Sequence, residues 1–144
     1  MGTAMADSKT DSRITLGFII GGLVNLGTTL TFVIPNHLGK LYPMVFSLFG
    51  IIAIILWGLA YISVSKSYAK VRMLLLVFAV EKAVYVGAWI YWLAKQRTIL
   101  DEPGVVSNGF DKFFLNGFGV VDFAWGVFFV WVFITTGKKQ PTDD

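Results

Sequence analysis

Hydrophobic positions gather in four long runs separated by polar connections: Ile14 to Ile34, Met44 to Ser63, Met73 to Ala94, and roughly Phe113 to Thr135. Each is about 20 residues or longer, the length that carries a helix across ~30 Å of hydrocarbon. The connections "PNHLGKLYP" and "VSKSYAKVR" are short, which makes successive helices antiparallel neighbours. The expected fold is all-α, a polytopic membrane protein built as an antiparallel four-helix transmembrane bundle over 14–136, with tails at 1–13 and 137–144. The third connection, "KQRTILDEPGVVSNGFDK", is longer, and its acidic and basic residues cancel. It reads as a solvated outer loop, with a small lid or a partner contact as the alternative.

Small and polar residues recur inside the runs at helical spacing. Gly17, Gly21, Asn25 and Thr28/Thr29 share one stripe; Gly50, Ala53, Trp57 and Ala60 make a second, and Gly119, Asp122 and Gly126 a third. Such stripes let helices approach closely and let polar groups hydrogen-bond across the seam, so they are expected to point inward. Tyr42, Tyr61, Tyr68, Tyr91, Trp92 and Trp131 fall near span ends and read as headgroup-level anchors. Trp57, Trp89 and Trp125 lie deeper, where packing or pocket lining is expected.

Composition agrees with the pattern. With 56% hydrophobic and 15% charged residues and a mean hydropathy of +0.69, the chain is too apolar for a soluble domain of 144 residues. "DSKTDSR" ahead of the first run, with no A-x-A-like site after a short apolar core, indicates a retained span rather than a cleaved signal. Met1 to Ala4, ahead of a second methionine at Met5, read as a cloning remnant. The absence of cysteine removes disulfide, thiolate and iron–sulfur chemistry. The one histidine, His37, sits beside Pro35 in a connection, which excludes a bis-histidine haem within the bundle. No metal or cofactor is expected.

The net charge of +3 comes from positive residues scattered at span ends, a topology signal rather than a nucleic-acid surface. Seven Lys and Arg lie on the side of the two tails and the second connection, against four on the other. Both termini are therefore expected in the cytoplasm.

Glu81 and Lys82 interrupt the third run at its centre. At ~1.5 Å rise per residue they lie roughly 13 to 15 Å from the cytoplasmic end, Asn25 roughly 16 Å and Asp122 roughly 19 Å, all in one layer near the bilayer midplane. Each buried charge costs about 2.5 to 3.5 kcal/mol on insertion scales, while each Leu, Val, Ile or Phe returns about 0.3 to 0.6. The third helix is close to break-even alone and needs partners. Lys82 and Asp122 are expected to form a structural ion pair, with Asn25 donating from the first helix. Glu81 is then a surplus acid, expected to be protonated, with Tyr85 one turn away. A polar layer of this kind either fixes helix register or lines a site.

The leading functional expectation is a site formed by Glu81, Tyr85, Asn25, Trp89, Trp125 and Trp57, taking a small hydrophobic or quinone-like ligand from the lipid bilayer. The alternatives are a homo-oligomeric, proton-coupled small transporter and a structural subunit of a larger membrane complex. No nucleophile–base pair, metal-ligand set or phosphate loop marks an enzyme. With "VFAVEKAVY" and the late aspartate of "GVVDFAWG" on its four-span pattern, the layout resembles the small bacterial four-span membrane proteins of the DoxX-like and BphX-like families. That resemblance implies a bacterial inner membrane and carries over no functional residue.

Overall fold

Three long helices dominate the structure, a computed structural model that describes residues 4–30, 37–105 and 109–137. They are α1 (Ala4–Leu30), α5 (Arg72–Lys95) and α6 (Gly109–Gly137). Each contains a stretch long and apolar enough to cross a membrane: Ser12–Leu30, Tyr68–Lys95 and Gly109–Gly137. Between them lie α2 (His37–Leu41), α3 (Pro43–Phe46) and α4 (Leu48–Val64). No strand occurs among the described residues. Residues 31–34 of the first expected run lie outside them.

The second run is broken. Pro43 opens α3, Ser47 takes an extended conformation, and α4 begins at Leu48 with the Ser47 hydroxyl accepting the Gly50 amide at 3.1 Å. Serine here caps the first turn of the new helix, satisfying an amide that has no partner inside it. At 17 residues, α4 is about 25 Å long.

Apolar and polar residues are distributed inside out. Leu16, Leu23, Phe49, Leu56, Val80, Val84, Phe123 and Val127 are exposed, whereas Asn25, Glu81 and Lys82 are buried. Water would not tolerate such a surface, but hydrocarbon favours it. This is a membrane protein.

The helices form two pairs, α1 on α4 and α5 on α6. Glycine sets the first pair. A Cβ on Gly22 would come within 2.6 Å of the Gly58 carbonyl, and one on Gly58 within 2.9 Å of the Gly22 carbonyl and 3.1 Å of the Asn25 Cβ. This backbone-to-backbone approach, at Gly22 rather than along the Gly17–Gly21 edge, brings Asn25 toward the middle of the molecule. Gly17 and Gly21 instead face the Phe128 and Trp125 rings of α6.

Two aromatic-rich cores lie on either side of the charged layer. One gathers Ile14, Phe18, Tyr61, Tyr68, Leu75, Phe78, Phe129 and Val132. The other gathers Leu41, Tyr42, Phe46, Ile54, Trp92, Leu100, Leu115 and Phe118. Four of the expected headgroup anchors are thus core residues: Tyr42, Tyr61, Tyr68 and Trp92 are buried, while Tyr91 and Trp131 are exposed. Burial is affordable for Trp92 because its indole N–H donates to the Leu41 carbonyl at 3.1 Å.

The third connection is not simply a solvated loop. Arg97–Asp101 form a 3₁₀ turn whose Leu100 is buried in the second core. Lys112 bonds Asp101 at 2.6 Å and Arg97 bonds the Asn116 side chain at 3.2 Å, tying the connection to the start of α6. The hydrogen bond and charge of Lys112 hold the Asp101 carboxyl below its ordinary range. The contact therefore persists at neutral pH and is lost as pH falls through that lowered value.

Gly58→Leu should loosen the α1–α4 pair by about 1–3 kcal/mol, the usual cost of overpacking. Gly27→Leu, where a Cβ meets nothing within 4 Å, should leave thermal unfolding in mild detergent unchanged or slightly raised. Equal melting temperatures for the two variants would refute the close approach.

Candidate functional site

At the centre of α5, Lys82 is 2% exposed. Its Nζ donates to Asp122 Oδ1 of α6 at 2.7 Å and to Asn25 Oδ1 of α1 at 3.3 Å, and lies 3.6 Å from Glu81 Oε1. Three N–H groups face three oxygens. The Tyr61 and Tyr85 rings stand 5.4 and 5.8 Å from the ammonium, within the range of a cation–π contribution. An ammonium in hydrocarbon is tolerable only when it is hydrogen-bonded and its charge is opposed, and here two hydrogen bonds and two carboxyl groups surround it.

Asn25 enters this network as an acceptor, not as the donor anticipated from the sequence. Its place follows from the Gly22–Gly58 crossing one turn earlier.

Glu81 is 7% exposed. Its Oε2 accepts the hydroxyl of Tyr61 on α4, so Tyr61 rather than Tyr85 is its phenolic partner. Its Oε1 has no hydrogen-bond partner among the described residues. The polar layer therefore draws one residue from each of α1, α4 and α6 around a Glu–Lys pair on α5. Tyr61 was missed in the sequence because a tyrosine near a span end looks like an anchor. Its distance from Ser63 decided that reading, although a hydroxyl one helix-depth from Glu81 was available to any inward-facing tyrosine.

A cavity of about 230 Å³ opens on this layer. Asn25, Thr28, Glu81, Lys82, Tyr85 and Asp122 form its polar side, and Val45, Phe46, Ile54, Phe114 and Phe118 its apolar side. Val24 of α1 and Phe113, Gly117 and Val121 of α6 complete the lining. Val24, Phe113 and Val121 are also exposed on the outer surface. The cavity therefore sits in the seam between the two helix pairs, and along α1 and α6 its lining residues reach the apolar outer surface of the protein.

No protein-family model, curated protein or solved structure matches the chain.

Of the residues expected at a site, Glu81, Tyr85 and Asn25 line the cavity together with Lys82 and Asp122, and none of the three tryptophans does. Trp89 donates its indole N–H to the Leu115 carbonyl at 2.9 Å and fills the space over Gly119. Trp125 packs on Gly21 and against the Phe128 ring. Trp57 meets Phe78 edge-on at 6.1 Å. These rings are helix-packing elements, and the phenylalanines of α6 take the lining role.

The two acids differ in access. Glu81 lines the cavity with its side chain only 5% exposed, whereas the Asp122 side chain is 16% exposed. Among the described residues the partner of Asp122 is Lys82. The aspartate is thus both half of the ion pair and the carboxylate more open to the cavity.

Lys82→Met strands two acids in a buried layer and should cost about 3–5 kcal/mol, the penalty for removing one partner of a buried pair. Adding Asp122→Leu removes one stranded charge and should recover most of that loss. Urea or thermal unfolding of the single and double variants checks this, and a double variant no more stable than Lys82→Met alone would show that the pair is not coupled.

Proposed function

We propose that this chain is a four-span bundle of a bacterial inner membrane that binds a small hydrophobic molecule in its central cavity. The cavity's position carries the proposal: an apolar chamber with a polar wall near mid-bilayer, whose lining along α1 and α6 reaches the apolar outer surface. A ligand dissolved in hydrocarbon would enter without passing through water. Its polar end would reach Asn25, Asp122 and Tyr85, and its apolar body would lie on Phe46, Phe114 and Phe118.

The order of layers supports the four-span topology. Along α1 and α5 the chain runs from the Phe18–Phe78 core toward the polar layer; along α4 and α6 it passes from the Ile54–Phe118 core to the Tyr61–Phe129 core. Neighbours in sequence thus run in opposite directions. With α3 added, the α4 segment approaches the ~30 Å of the hydrocarbon layer. The excess of Lys and Arg beside the tails and the second connection supports cytoplasmic termini.

The cavity volume lies below the ~300–1,000 Å³ typical of drug-sized sites. The occupant is therefore a small molecule, or one end of a longer amphiphile whose remainder stays in the lipid.

Gly117 provides the test. It lines the cavity, and a Cβ there meets nothing within 4 Å, so Gly117→Leu can start its side chain in open space and add bulk to the chamber. Replacing a mid-helix glycine should also stabilise the helix by roughly 0.5–1 kcal/mol. Native mass spectrometry from mild detergent should show a discrete retained mass on the wild-type chain and its absence from Gly117→Leu. A wild-type spectrum with no bound species, or an unchanged mass on the variant, would contradict the proposal.

A further inference from the structure

The chemistry of the polar wall narrows the ligand. Among the described residues Lys82 is the one cation lining the cavity, and its N–H groups face Asp122, Asn25 and Glu81. Two of those groups are hydrogen-bonded, to Asp122 and Asn25, and its charge is opposed by two acids, so it holds little attraction for a carboxylate. Acceptors, by contrast, are in excess. Glu81, a buried residue of the lining, carries an Oε1 that no described residue hydrogen-bonds, and Asp122 is the more accessible acid with Lys82 as its partner. Two carboxyl groups share one ammonium, so the wall holds one acid more than its cation can balance. Phe46, Phe114 and Phe118, which form a contiguous aromatic surface with ring centroids 5.6 to 6.1 Å apart, offer an apolar bed.

We infer that the cavity selects a hydrophobic amine, with its ammonium on Asp122 and the open side of the Glu81–Lys82 layer and its hydrocarbon part among the α6 phenylalanines. This rests on the ligand-binding reading above and adds the class of head group. A protonated amine supplies a donor for Glu81 Oε1 and a cation for the second acid of the layer. An alcohol supplies only a donor. A carboxylate supplies neither and would meet two acids.

The test uses the full chain in lipid nanodiscs, titrated at neutral pH with n-decylamine, n-decanol and n-decanoate. The three share a chain length and differ in the head. Isothermal titration calorimetry against empty nanodiscs separates partitioning from binding, and Gly117→Leu marks the saturable component that belongs to the cavity. The expected result is saturable decylamine binding at least about ten-fold tighter than decanol, as suits a charge-assisted hydrogen bond, with no saturable decanoate binding. Asp122→Asn should erase the preference for the amine over the alcohol, and Asp122→Glu should retain it. Decanol binding as tightly as decylamine, or decanoate binding best, would overturn the amine assignment while leaving the cavity as a ligand site. If none of the three gives a saturable component sensitive to Gly117→Leu, both the cavity reading and the amine assignment fall. The wild-type head-group order decides the matter even if the Asp122 variants do not fold.

Discussion

Burial of the Lys82 ammonium is the constraint from which the arrangement of the other helices follows. A charge of this kind in hydrocarbon must be surrounded by oxygens, and no single helix can supply them, because adjacent residues on α5 project ~100° apart. Glu81 alone lies 3.6 Å away and reaches Lys82 from the side. The remaining oxygens come from Asn25 on α1 and Asp122 on α6. Meeting the demand of one ammonium therefore draws together the two helix pairs, and the hydroxyl of Tyr61 on α4 then closes the layer by serving Glu81.

The rest of the packing can be read as what allows that layer to form. Lipid tails are as apolar as leucine, so burying hydrophobic surface gives little reason for helices to associate in a bilayer. Close contact and polar pairing have to do so. Gly22 and Gly58 let two backbones meet, which places Asn25; Gly126 leaves room beside the Lys82 stem, whose Cβ lies 3.4 Å from where a Cβ would stand. Above and below, large rings interlock: Phe18, Tyr61, Phe78 and Phe129 on one side, Tyr42, Phe46, Trp92 and Phe118 on the other. Arg72 fastens the far end. It faces the wrong way for the dipole of its own helix, but its Nε bonds the Phe133 carbonyl of α6 at 3.1 Å, where the last turn of that helix presents a partial negative charge.

The parts of this arrangement visible in the sequence were those set by distance along a helix. Rise per residue is constant, so counting from run ends put Asn25, Glu81, Lys82 and Asp122 at one depth, and the lengths of the runs gave the helices. Rotation about the helix axis was not available in the same way. Tyr61 and Tyr85 are both within reach of Glu81 in depth, and only the packing of α4 on its neighbours decides between them. The same ambiguity affected the tryptophans: Trp57, Trp89 and Trp125 have the right depth for a pocket wall, but their rings turn toward Phe78, Gly119 and Gly21. Gly22 looked unremarkable beside the more regular Gly17–Gly21 pair, because its importance comes from Gly58, thirty-six positions away in sequence. The break at Ser47 was hidden for another reason, since an apolar run does not register a change of backbone direction within it.

The proposed ligand-binding role of the layer draws on its stoichiometry and its surroundings together. A register-setting pair works with matched charges and a dry, filled neighbourhood, because every unmatched group in low dielectric is a cost with no return. Here a second acid, Glu81, is kept beside a pair that Lys82 and Asp122 could form alone, and the space next to it is left open. Filling that space would be simple: Gly117 faces it with nothing within 4 Å of a Cβ, and any larger residue would improve both packing and helix propensity. A surplus buried acid and empty volume each lower stability, and they occur at the same place. Sites of function are where local rules of stability are set aside. On the ligand-binding reading proposed above, the surplus acid and the unfilled chamber have one origin, an occupant that meets the first and fills the second.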